Sequence, residues 1–109
     1  MATAYKVLGQ VEAAATTDTT LYTVPAATET VVSTLVAVNK DTASCTIRIA
    51  VRPNGEALAD KHYLVYDATV AAKQTIAFTL GITIDATDVI TVYSSNAHTS
   101  FNAFGSEIS

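Results

Sequence analysis

Two histidines, His62 and His98, a single cysteine, Cys45, and the pair Asp85/Asp88 are the side chains from which chemistry would have to be built. A metal centre needs several His, Cys or carboxylate ligands converging, usually at a telling short spacing. Here the histidines are isolated, and Cys45 falls on the apolar side of an alternating run, where a cysteine serves as a small buried hydrophobe. One cysteine cannot close an intrachain disulfide. His62 follows Asp60 closely and His98 follows Ser95, but no Gly-x-Ser-x-Gly elbow supports nucleophilic catalysis. Asp85 and Asp88 bracket a tight turn, which leaves two readings open: side chains capping their own backbone, or Ca²⁺ ligation without an EF-hand spacing. Gly9, Gly55, Gly81 and Gly105 are each isolated, so no phosphate-cradling loop is present. The pattern points away from an enzyme and implies neither a metal nor a cofactor.

The aromatic and basic residues are more informative. Tyr5, Tyr22, Tyr63, Tyr66 and Tyr93 outnumber the three phenylalanines, and there is no tryptophan. A tyrosine at a strand edge either anchors a partner, with an apolar ring and a polar tip, or caps the core. Arg48 and Arg52 project from the wet face of the clearest strand. There they are either solvated or paired with carboxylates of an adjoining subunit. A ligand-binding module would need exposed aromatics beside Asn or Asp, and only residues 63–67 and 94–98 offer that combination.

The elements that position these side chains are strands. In Cys45-Thr46-Ile47-Arg48-Ile49-Ala50-Val51-Arg52 apolar and polar residues alternate over eight positions, the mark of a sheet with one dry face. Similar runs predict strands over 5–10, 19–24, 29–39, 62–66, 74–80, 89–94 and 99–108, with Ile82 and Ile84 continuing the sixth of the eight past Gly81. Residues 56–61 read as a short helical turn or irregular loop, and 67–73 as a loop. The 29–39 strand is apolar on both sides, with Val32, Val36 and Val38 opposite Val31, Leu35 and Ala37. Such a strand is either central to a two-layer core or covered by a partner. About eight strands without a helix predict an all-β, single-domain β-sandwich or barrel spanning residues 1–109, jelly-roll or immunoglobulin-like. No Cys–Trp–Cys signature favours an antibody-type domain.

Of 109 residues half are apolar and only 15% charged, against about 25% in ordinary soluble domains. Low charge suits a subunit that buries much of itself against neighbours. A net charge of −4, with six scattered basic residues, argues against nucleic acid as a partner. No apolar run reaches the ~20 residues that span a bilayer, and the N-terminus has no basic-then-hydrophobic leader, so no membrane partner is expected.

Ala4-Tyr5-Lys6-Val7-Leu8-Gly9-Gln10, Thr19-Thr20-Leu21-Tyr22-Thr23-Val24-Pro25-Ala26, Val31-Val32-Ser33-Thr34-Leu35, Ile49-Ala50-Val51-Arg52-Pro53, Thr79-Leu80-Gly81-Ile82-Thr83 and Phe101-Asn102-Ala103-Phe104-Gly105-Ser106-Glu107-Ile108 together resemble small virion structural proteins of tailed bacteriophages, cyanobacterial phages included. The resemblance covers nearly the whole chain and rests on overall similarity, not on a diagnostic site. It implies a non-enzymatic all-β protein present in many copies on a particle and made in the host cytoplasm. Its partners would be itself, as a dimer or trimer, and other virion proteins such as the major capsid protein. A head decoration or cement protein is the first expectation; a tail, neck or baseplate part is the alternative, and a host-surface or glycan-binding module a second one. The candidate interface comprises Tyr5, Val7, Val31, Leu35, Arg48, Arg52, Tyr63 and Phe104, drawn from the two terminal strands, the longest strand, the wet face of the alternating one and the 62–66 strand.

Overall fold

Alternation puts Cys45, Ile47 and Ile49 inward, all almost completely buried, while Thr46 and Arg48 face out. The same rule builds the rest of the chain in a computed structural model that describes residues 2–109. The strands are β1 (Thr3–Glu12), β2 (Thr19–Thr23), β3 (Glu29–Asn39), β4 (Cys45–Arg52), β5 (Tyr63–Val70), β6 (Thr75–Phe78), β7 (Ile82–Ile84), β8 (Val89–Ser94) and β9 (Thr99–Ile108). Two short 3-10 turns, Pro53–Gly55 and Asp60–His62, lie between β4 and β5.

Two antiparallel sheets result. One runs β1-β9-β3-β6, with β7 continuing alongside β3; the other runs β2-β8-β4-β5. The segments β6 and β7 pair with successive stretches of β3 and are one strand interrupted where Gly81 takes φ +68°. Counted so, eight strands pair first with last, second with seventh, third with sixth and fourth with fifth. That is jelly-roll topology, one of the two expected architectures. Between the sheets lie Leu8, Val32, Leu35 and Phe101 from the first and Leu21, Ile47, Ile49, Ile90 and Val92 from the second.

The longest strand is not apolar on both faces in the simple sense. An extra residue at Ser33 shifts its register against β9 between Val32 and Thr34. A bulge reverses which alternate residues face the core. Thr30 and Val32 point inward before it, Leu35, Ala37 and Asn39 after it, and Val31 stays outside. Leu8 makes a matching bulge in β1. Two more bulges carry β5 through the expected loop at 67–73 as far as Val70: two residues, Tyr66 and Asp67, lie opposite Arg48, and Leu64 is an extra residue nearer the start.

Candidate interaction surfaces

Directly opposed residues of an antiparallel sheet share a face. Tyr5 is in line with Ser106, Val31 and Thr83, Val7 with Phe104 and Thr34, and Thr3 with Ile108 and Glu29. The register therefore gathers Tyr5, Val7, Val31, Phe104 and Ile108 on the outer face at one end of the first sheet. Tyr5 is 86% exposed and Val7 48%; Val31 and Phe104 are also open to solvent. From Val31 and Ile108 an open depression of about 400 Å³ leads to Glu29, Asp85 and Asp88, which give the patch an acidic rim.

The same corner carries an unpaired backbone edge. Ala2 and Ser109 exchange both N–H···O bonds, at 2.7 and 2.8 Å. Alternation along the pair then turns the N–H and C=O of Thr3, Tyr5 and Val7 away from β9, and β1 is the outermost strand. An exposed edge invites another strand. Behind it, the Tyr22 hydroxyl donates to Glu107 Oε2 at 2.5 Å and accepts from Thr30 Oγ1 at 2.8 Å, while Lys6 reaches Glu107 Oε1 at 3.0 Å. Burial, reinforced by donation to Glu107, pushes the Tyr22 phenol up to about 12. Donation from Tyr22 and then from Lys6 holds the Glu107 carboxyl below its ordinary value.

A second cluster occupies the outer face of the other sheet. The bulge places Asp67 at φ +53°, a left-handed conformation that Asp tolerates better than most residues. Its carboxylate accepts from Arg48 Nε at 2.6 Å and Nη2 at 3.3 Å. The guanidinium lies 4.3 Å from the Tyr66 ring centroid and 4.4 Å from that of Tyr93, within cation–π range of both. Tyr63 meets Tyr66 edge to face, centroids 4.9 Å apart. Burial and the nearby Asp18 charge raise the Tyr63 phenol.

Of the eight candidate interface residues, Tyr5, Val7, Val31 and Phe104 come together in the patch. Leu35 does not join them: the Ser33 bulge turns it into the core, where it is 1% exposed. Arg48 and Arg52 each have partners within the chain. Arg48 pairs with Asp67, and Arg52 donates to Thr91 Oγ1 at 3.0 Å and the Glu56 carbonyl at 2.9 Å. Tyr63 belongs to the second cluster. Sequence reading missed Ile108 as part of the patch and Asp67 as the anchor of Arg48. The signal for the latter was the Tyr63–Tyr66 spacing of three, which cannot keep two aromatics on one face of a regular strand.

Of the residues first considered for chemistry, His62, Cys45, Asp85 and Asp88 have partners within the fold. His62 is buried; its Nδ1 accepts from the Ala59 N–H at 3.0 Å, so Nε2–H donates to Glu56 Oε1 at 3.2 Å. His98 sits exposed in the β8–β9 turn. Cys45 is buried against Thr99. Asp88 accepts from the Asp85 and Asn54 N–H groups, both at 2.8 Å, and Asp85 accepts from Ala86, in keeping with the backbone-capping reading. In the 94–98 turn, the polar side chains of Ser94 and Asn96 bond to Thr99 and Asn39.

The fold and surfaces together define an eight-stranded jelly roll in which the β1 edge lies beside an exposed apolar patch. Among solved structures, a chain in the structure of infectious bursal disease virus, Gx strain, is similar to it, with TM-score 0.54 and 12% identity over 97% of this chain. This chain spans 31% of the length of that one, and at such identity the likeness is one of fold. No protein-family model and no curated protein matches the sequence.

Proposed function

We propose that this chain is a non-enzymatic virion structural protein of a tailed bacteriophage, and within that class a decoration or cement protein of the capsid. The observation that carries the reading is the coincidence of the Tyr5/Val7/Val31/Phe104 patch with the unpaired β1 edge. Contiguous exposed apolar surface with a polar rim marks an interaction site. Added strand pairing gives such a site direction and register. The resemblance of the sequence to phage virion proteins and the recurrence of jelly rolls in capsids support the same reading.

The mechanism follows from mass action. A protein that binds the assembled lattice and not its loose subunits stabilises the lattice by its binding free energy, repeated at every copy. The acidic rim at Glu29, Asp85 and Asp88 selects a partner with basic residues around an apolar centre, such as a capsid subunit. Self-association into a dimer or trimer would let one cement unit bridge several subunits.

Cryo-electron microscopy of the intact particle tests this. Copies repeated over the icosahedral lattice, with the Tyr5–Phe104 face against the capsid protein, are the expected result. Density confined to the tail, neck or baseplate would overturn the cement reading in favour of a tail part.

A further inference from the structure

Between the Asp60–His62 turn and the start of β5 lies an open depression of about 460 Å³, lined by Asp60, Tyr63 and Tyr66. It is on the opposite sheet from the apolar patch and takes no part in the proposed lattice contact. We propose that it is a carbohydrate site that takes one neutral sugar ring against the two tyrosines, with Asp60 accepting from the sugar hydroxyls.

The choice of ligand follows from the chemistry of the walls. Two aromatic rings at 79° give apolar surface in two directions, and Tyr66 is 57% exposed. A sugar ring presents C–H groups to such surfaces and hydroxyls to polar ones. The one charged lining group, Asp60, is acceptor-only and needs hydroxyl or N–H donors; the phenols can donate or accept. An anion is disfavoured by Asp60. A cation is disfavoured by Arg48, whose guanidinium already lies 4.3 Å from the Tyr66 ring centre, so a second positive charge there would meet the first. A neutral polyhydroxyl ligand meets neither penalty.

The site is also held in advance of binding. Asp67 grips Arg48 through two hydrogen bonds, Arg48 packs on Tyr66 and Tyr93, and Tyr63 braces Tyr66. Ordering the exposed Tyr66 and the half-buried Tyr63 on binding would otherwise weaken a small ligand's affinity. The bulge that puts Tyr66 and Asp67 together opposite Arg48 is the kind of irregularity that re-aims side chains at sites.

The test is a titration of the purified chain with the methyl glycosides of glucose, galactose, mannose and N-acetylglucosamine, followed by ¹H–¹⁵N chemical shifts. At least one is expected to saturate with a Kd of about 1–10 mM, typical of a single small unit on an open site. Its shifts should be confined to residues around Asp60, Tyr63, Tyr66 and Arg48. Tyr66→Ala and Asp60→Asn, both at exposed positions, should each weaken binding at least about tenfold while the remaining spectrum stays that of the folded protein. Saturation by none of the four, shifts centred elsewhere, or unchanged affinity in both variants would overturn the proposal. So would preferential binding of choline, run in parallel, which would make the site a cation cage. The assay needs no particle, so its result stands apart from where the protein sits on one.

Discussion

At the end of the sandwich where β3 finishes and β9 begins, Asn39, Ser94 and Thr99 are completely buried and bonded to one another's neighbourhood. Asn39 Nδ2 donates to the Ala43 and Val70 carbonyls at 2.9 and 3.1 Å, and its Oδ1 accepts from Asp41 N–H and Asn96 Nδ2. Where β3 begins and β9 finishes the arrangement is inverted: Tyr5, Val7, Val31 and Phe104 stand in solvent. The first end buries polar groups and satisfies them, which costs desolvation and returns a unique geometry. The second exposes apolar groups, which does nothing for an isolated monomer. One end serves the fold of the single chain; the other, on the function proposed above, serves a partner.

The largest effect that would break this contrast is at the closed end. Asn39→Ala removes the amide's donors and its acceptor, stranding the buried Val70 carbonyl and three part-buried partners at Ala43, Asp41 and Asn96, each bond worth roughly 1 kcal/mol. A loss of about 3 kcal/mol is expected, a fall in Tm of more than ~10 °C by calorimetry. A variant melting within a few degrees of the parent would mean that the closed end is not what holds the sandwich shut.

Gly105→Ala probes whether the open end is loose or rigid. An ideal Cβ at Gly105 would lie 2.0 Å from the Val31 carbonyl oxygen, and backbone cannot yield as a flexible side chain can. Overpacking of this kind costs about 2 kcal/mol. Urea denaturation showing that loss would establish that the patch rests on a rigid sheet; a neutral outcome would make it adaptable.

How much of this was readable beforehand depended on regularity. The alternation in Cys45–Arg52 and the turn residues around it were enough for that strand's bounds, and Val89–Ser94 and Thr99–Ile108 were equally clear. The bulges at Leu8, Ser33 and Tyr66–Asp67 were not readable, because an inserted residue breaks the period of two without leaving a composition signal. That is why Leu35 was assigned to a surface while it fills the core, and why Asp67 went unnoticed beside Arg48. The patch is half legible: the sequence marks Tyr5, Val7, Val31 and Phe104 as candidate interface residues on three separate strands, but their convergence depends on register.

Tyr22→Phe tests the polar support beneath the patch and carries a pH signature. Losing the hydroxyl should cost about 1 kcal/mol at neutral pH. Glu107 has its folded pKa depressed from the ordinary 4.5, first by Tyr22 and then by Lys6. Its contribution is therefore fully present above the unfolded value and is lost as pH falls through the folded one. Stability measured by urea midpoint from pH 7 to pH 3 should decline on that acid limb, and less steeply in Tyr22→Phe. An unchanged slope would mean that Lys6 alone holds the carboxylate.

The smallest effect on stability is the one that defines the contrast. Tyr5 is 86% exposed and its side chain packs on little, so Tyr5→Ser should change unfolding free energy by less than about 0.5 kcal/mol. Removing the ring nevertheless takes away the largest apolar contribution to the patch, in a position whose N–H and C=O face the free edge. An interface built there should lose affinity by a far larger amount than the fold loses stability, since exposed aromatics are frequent anchors of binding energy. Light scattering and particle-binding assays on the same variant give the two quantities side by side. If Tyr5→Ser unfolds the chain as readily as Asn39→Ala, the ring is part of the monomer's own structure. If it alters neither stability nor association, the open end has no partner through Tyr5, and the interface must be sought on another face.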